Sequence, residues 1–176
     1  MTTDEYLYQT EESNRRRELR MSRICEPPAP YLSHQQLVLK VARVLCDHVE
    51  PRGLGSVVIA PVDVILDRDK NLVLQPDVLF VSAARSSIMR NQVWGAPDLV
   101  VEVLSDGTKT YDRGEKLAWY REYGVREYWI VDLSDTSVGI HDFDGAKASE
   151  RNAVGVDCIV SSVFPQLHIT AYDIFL

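Results

Sequence analysis

Cysteine is scarce in this chain, with three residues among 176, and Cys25, Cys46 and Cys158 stand far apart. Neither a disulfide framework nor a paired-cysteine zinc site follows from that spacing, so a reduced, cytoplasmic protein is expected. Long apolar runs are missing too. No stretch approaches the roughly 20 residues that cross a bilayer, and the polar start Met1-Thr2-Thr3-Asp4-Glu5 lacks a signal-peptide pattern. Basic excess is absent: 19 Lys and Arg against 26 Asp and Glu leave a net charge of −7. That balance argues against a broadly basic nucleic-acid binder and leaves room for a local patch. Arg15, Arg16, Arg17, Arg20 and Arg23, opposed only by Glu18, form one candidate. A solvated charged segment is an equally good account of them.

Internal repeats, low-complexity tracts and dividing linkers are also lacking. With 45% hydrophobic residues, the expectation is one domain over 1–176, its first 13 residues frayed. Glu26-Pro27-Pro28-Ala29-Pro30 is a stiff connector. A helix follows, with Ser33 and Gln36 as a capping box and Leu37, Val41, Val44, Leu45 and Val49 as its apolar stripe. Ser56 to Leu66 and Leu72 to Val81 read as the two arms of a hairpin, with Pro76 marking an edge, bulge or break in the second. Further on, a strand over Leu99–Leu104, a helix capped by Asp112 and Glu115 and stopped by Gly124, and a strand Glu127–Asp132 make a crossover unit with parallel strands. Val138–Phe143, turning at Asp144-Gly145, and a segment near Cys158-Ile159-Val160 complete the strands. The pattern is α/β, a mixed β-sheet flanked by helices.

The run Ala96-Pro97-Asp98-Leu99-Val100-Val101-Glu102-Val103-Leu104-Ser105 sets a carboxylate inside a nearly continuous apolar strand. Such a charge is costly unless it is paired, protonated or bound to a metal. Asp77 and Asp98 each follow a proline at the head of an apolar run, and Asp98 shares a strand face with Glu102. Hard oxygen ligands of this kind, without a Cys or His cluster, suit Mg2+ or Mn2+. Pro-Asp also opens strands for purely structural reasons, and Asp98 fits that account better. His34 reads as a helix-start contact, and Trp94, Trp119 and Trp129 as core aromatics. Ser105 lacks the glycines of a nucleophile elbow.

Pro-Asp, then Glu-x-Val in a strand, then a lysine-bearing helix resembles the PD-(D/E)XK nuclease superfamily, and more closely its Uma-two family of restriction endonuclease-like proteins. The shared text includes Glu26–Pro30, Ser33-His34-Gln35, Gln75-Pro76-Asp77-Val78, Trp94–Ser105, Asp112-Arg113…Lys116 and Tyr123–Asp132. The resemblance implies a restriction-endonuclease-like core, a divalent-metal site and hydrolysis of phosphodiester bonds in nucleic acid, DNA first. Carried over by position, Asp77 and Glu102 are metal ligands, Glu18 completes the metal shell, and Lys116 takes the place of the lysine that usually follows two residues after the second acid, where this chain has Leu104. Lys116 has a plainer account as an exposed pair with Asp112 one turn away. Arg15, Arg16, Arg17 and Arg113 are the nucleic-acid-binding candidates, and a homodimer suits an enzyme that cuts two strands. The chain departs from the family pattern at Ser22, where glycine is usual, and at Asp106. A non-catalytic nucleic-acid- or protein-binding domain on the same fold is the alternative.

Overall fold

In the computed structural model, residues 1–9, 16–105, 107–144 and 149–176 are described. Of the 13 residues expected to fray, 1–9 are described and include α1 (Thr3–Gln9), which seals Tyr6 against Leu19, Ile65 and Val73; residues 10–13 lie outside the described residues. β1 (Glu18–Arg20) and β2 (Arg23–Cys25) follow as an antiparallel hairpin. Their two-residue turn puts Met21 at φ 47° and Ser22 at φ 73°. That left-handed region favours glycine, which is the physical reason for a glycine at the Ser22 position. Neither strand is legible as an apolar run, because each has only three residues.

α2 (Leu32–Val49) carries Leu37, Val38, Val41, Ala42, Leu45 and Val49 into the largest core cluster. Each fully buried side chain of that size contributes about 1.5–3 kcal/mol. The expected Ser33 capping box is not formed. The helix starts two residues earlier than a Ser33 cap requires, at Leu32, and Tyr31 caps it without a side-chain bond.

The long hairpin expected over 56–81 exists, but prolines split both arms. Pro61 separates β3 (Gly55–Ile59) from β4 (Val64–Asp67), and Pro76 separates β5 (Leu72–Leu74) from β6 (Val78–Ser82). A residue without an N–H cannot continue a ladder. β3 therefore pairs with β6 in one sheet, and β4 with β5 in another. With β7 (Val93–Trp94), β8 (Leu99–Val103), β9 (Glu127–Asp132), β10 (Ser137–Asp142) and β11 (Ser149–Val154), two sheets result. Their strand orders are β2-β1-β5-β4-β7 and β11-β10-β9-β8-β6-β3.

β8 and β9 are parallel, as the crossover pattern requires. Between them, α3 (Lys109–Tyr111), a π-helical turn (Asp112–Lys116) and α4 (Leu117–Glu122) follow one another without a break. Asp112 is thus inside the helical segment and not its cap. The tail differs from expectation as well: its strand is β11, whereas Cys158 makes only a single bridge to Thr170. The expected turn at Asp144-Gly145 falls partly outside the described residues. α5 (Ala171–Phe175) packs Ala171 and Ile174 into the same core as α2.

Strand alternation sorts β8 into two faces. Leu99, Val101 and Val103 join the α2 core, while Val100 and Leu104 join a second cluster with Tyr120 and Tyr128. Glu102 points to that second side, toward the π-helical turn.

Candidate active site

Pro76 ends β5 and delivers Asp77 to the head of β6, beside the end of β8. The backbone N–H of Val103 donates to Asp77 Oδ2 at 2.8 Å, which fixes the carboxylate next to Glu102. Glu18 arrives from β1, where its Oε1 accepts from the N–H of Gln75 at 3.2 Å. From the π-helical turn, Lys116 Nζ reaches Glu102 Oε1 at 2.7 Å, Glu18 Oε1 at 3.0 Å and Asp112 Oδ1 at 3.6 Å. Its side chain is 3% exposed, so the plainer account of an exposed pair with Asp112 fails. A π turn inside an α-helix shifts the following residues around the axis and recurs at functional sites. Here both Asp112 and Lys116 are buried in it.

Two arginines close the cluster. Arg20 Nε and Nη2 donate to Glu18 Oε2 at 2.8 and 2.6 Å, with the guanidinium 3.5 Å from the ring centre of Tyr111. Arg16 Nη1 donates to Asp77 Oδ1 at 2.7 Å, its Nη2 donates to the carbonyl of Gln75, and the same Nη2 lies 3.8 Å from Glu102 Oε2. His34, in the first turn of α2, does more than start a helix: its Nε2 sits 3.3 Å from Asp77 Oδ2. Tyr120 donates to Glu102 Oε1 at 3.3 Å and Tyr111 to Glu18 Oε2 at 3.4 Å. Burial, together with these carboxylates, raises both phenols, so they serve as donors.

The carboxyls differ in acidity. Burial pushes Asp77 up, but the His34 bond and the charges of Arg16 and Lys116 outweigh it and hold it below the usual range. Glu18 is likewise lowered, because Lys116 and Arg20 overcome its burial. Glu102 is pushed up to about 8, by burial first and by the charges of Asp77 and Asp112, against the pull of Lys116 and Arg16. Lys116 is raised despite its burial, because Glu102, Glu18 and Asp112 surround it. It is an ammonium here and not a base.

The cluster forms the floor of a groove of about 600 Å³, whose wall includes Pro27, Pro28 and Pro30. Among the described residues no group of three or more His, Cys, Asp or Glu is gathered to hold a metal ion, and Lys116 and Arg16 are paired with the acids instead. The donor chemistry nevertheless fits a hard cation. Asp77 Oδ2 is held by Val103 and His34, and Glu102 Oε1 by Lys116 and Tyr120. Asp77 Oδ1 and Glu102 Oε2 remain, and one guanidinium faces both, standing in for a cation.

The structure therefore brings together Asp77, Glu102, Glu18, Lys116 and Arg16. It does not bring in Arg17 or Arg113. Arg17 packs over the Tyr6 ring and approaches Glu26, and Arg113 pairs with Asp132 at 3.1 Å on the surface. Arg15 and Asp106 lie outside the described residues. Asp98 takes its structural role at the far end of β8, accepting from the N–H of Ser82 at 2.8 Å and pairing with Arg85 and Arg126. Sequence reasoning missed that Arg16 turns inward. Its only signal was its place two residues before Glu18.

The family Uma2, described as "Putative restriction endonuclease", matches residues 3–171. A solved structure described as a "putative nuclease belonging to DUF820", from Anabaena variabilis ATCC 29413, superposes with a TM-score of 0.84 at 19% identity, covering 99% of this chain and 97% of that one. At that identity the likeness speaks for the fold. No curated protein sequence matches the chain.

Proposed function

Since this chain belongs to the family described as "Putative restriction endonuclease", we propose that it is a metal-dependent endonuclease that hydrolyses phosphodiester bonds of nucleic acid, DNA first. The observation that carries this reading is the meeting of Asp77, Glu102 and Glu18 around Lys116 at the floor of an open groove. Asp77 and Glu102 would hold Mg2+ or Mn2+, with Glu18 at the edge of the shell. When bound, such an ion polarises the phosphate and acidifies a water. Lys116 supplies fixed positive charge where negative charge develops, and a preorganised donor in a buried site is far more effective than one in water. Asp77 is kept in place by the Val103 N–H and His34, so its orientation does not depend on substrate. Cutting both strands of a duplex calls for two such sites, hence a two-fold pair of this chain.

One observation favours the second reading, a binding domain that has kept the fold without the chemistry: Arg16 already neutralises Asp77 and faces Glu102. Nicking of supercoiled plasmid decides between them. The wild-type protein with millimolar Mg2+ or Mn2+ is expected to nick, and Glu102→Gln to lose at least about 10²-fold, the scale of a lost electrostatic contributor. Equal cleavage by both proteins would move the site elsewhere. Absence of metal-dependent nicking by the wild-type protein would leave the binding domain.

A further inference from the structure

We infer that Arg16 is a displaceable resident cation, whose guanidinium and a divalent metal ion compete for the same two carboxylate oxygens, so that Arg16 sets the metal affinity of the site. This rests on the reading of Asp77 and Glu102 as metal ligands. Three features of the structure carry it.

The first is which oxygens remain. Asp77 Oδ2 accepts from Val103 and faces His34, and Glu102 Oε1 accepts from Lys116 and Tyr120. Asp77 Oδ1 and Glu102 Oε2 are thus the carboxylate oxygens left most open to a hard ion. Arg16 donates to the first at 2.7 Å and lies 3.8 Å from the second. A divalent ion drawing on these oxygens sets a second positive charge against the guanidinium, and the repulsion between them in a partly buried site favours departure of one of the two.

The second feature is that the guanidinium fits imperfectly. It makes no fork with either carboxylate, dividing its two terminal nitrogens between Asp77 and the Gln75 carbonyl. Among the described residues its Nε is buried without a hydrogen-bond partner. Arginine holds a carboxylate best through two parallel bonds, and a buried donor left unpaired is destabilising. The pairing can therefore be exchanged for a tighter one.

The third is access. The Arg16 side chain is 19% exposed and lines the groove, whereas Lys116 is sealed at 3%. Arg16 can swing toward the groove without unpacking the core, and a planar guanidinium released there faces the path of a phosphate, which it recognises well. Lys116 stays with Glu102 and Glu18 throughout.

The test is binding, independent of cleavage. Calorimetric titration with Mn2+ is expected to show roughly tenfold or tighter binding to Arg16→Gln than to wild type, a change of about 1.4 kcal/mol or more, with Arg16→Lys between them. A residue that merely supported the fold would give weaker metal binding on removal. In the wild-type protein labelled with 15N-arginine, Mg2+ is expected to shift the Arg16 guanidinium resonances in step with saturation. That measurement needs no variant and so survives any misfolding of one. Unchanged or weaker affinity in a folded Arg16→Gln, or Mg2+ saturation with an unmoved Arg16 resonance, would overturn the inference while leaving the metal site standing. Displacement of Arg16 by a metal without plasmid nicking would instead overturn the nuclease reading alone. No metal binding to either protein would overturn both.

Discussion

Lys116 Nζ lies 2.7 Å from Glu102 Oε1, across 14 positions of sequence, with both side chains almost sealed from solvent. A strand carboxylate that had to find a partner found it in the helical segment that follows. Four buried carboxyls, Glu18, Asp77, Glu102 and Asp112, share three cations, Arg16, Arg20 and Lys116.

Removing the central cation should therefore cost more than activity. Lys116→Met leaves Glu102, Glu18 and Asp112 facing one another in the interior, and breaking a buried ion pair in this way costs about 3–5 kcal/mol. Urea unfolding is expected to show a loss on that scale, together with loss of any plasmid nicking. A variant with wild-type stability would mean that the three acids can protonate or hydrate at little cost.

Asp77 and Asp98 look alike in sequence and should behave differently. Asp77→Asn should abolish calorimetric Mn2+ binding, whereas Asp98→Asn should leave it intact. Asp98→Asn should instead lower stability by about 1–3 kcal/mol, because the Ser82 N–H, Arg85 and Arg126 lose a charged acceptor. The opposite ranking would exchange their roles.

Asp132, outside the cluster, gives a pH dependence of its own. Its burial is outweighed by hydrogen bonds from Ser134 and by Arg113 and Lys109, which bring its pKa down to about 2. A lowered carboxyl stabilises the fold above its unfolded value, near 3.9, and that contribution is lost as pH falls through the folded value. Wild type should exceed Asp132→Asn by about 1–2 kcal/mol at neutral pH, allowing for solvent screening at this rim position. The gap should close as pH falls from about 4 to about 2, read from urea midpoints of both proteins. A gap constant over that range would assign the difference to packing.

Ser22 occupies a left-handed turn position at φ 73°, and releasing that strain is worth roughly 1 kcal/mol. Ser22→Gly should raise the melting temperature modestly. The bond from Asn71 Nδ2 to Ser22 Oγ, 3.1 Å and exposed, opposes the gain only weakly. A lower melting temperature would show that this bond outweighs the backbone strain.

Strong local patterns were the legible part of this molecule. The apolar strand around Glu102, the α2 stripe and the parallel β8–β9 unit followed from periodicity, and Asp77 and Lys116 from the resemblance. The unread parts have physical causes. β1 and β2 are too short to show a period, and α1 is held by scattered contacts, with Tyr6 in the core, Thr3 bonded to Asn71 and Asp4 paired with Arg68, that leave no periodic signal. Ser33 lost its cap role because helix ends depend on tertiary contacts. The hairpin arms changed sheets at prolines whose effect on pairing partners is not local. Arg16 read as a member of a surface patch, because charge runs are usually solvated and nothing in its own segment reveals Asp77.

The split of both hairpin arms has a kinetic consequence. Asp77 stands where the chain leaves one sheet and enters the other, and its neighbours Glu18, Glu102 and Lys116 come from three other stretches of chain. Apart from Arg20–Glu18 and Lys116–Asp112, the pairings that build the cluster join separate stretches of chain, and such contacts close late because the intervening loops must first be ordered. The polypeptide should acquire its helices and the local β9–β10 and β10–β11 hairpins before the acids meet, so a nascent or partly unfolded chain carries no assembled centre. Clipping the first 25 residues would remove β1 from beside β5 and Glu18 from beside Lys116, and with them one acid and two of the three cations of the cluster.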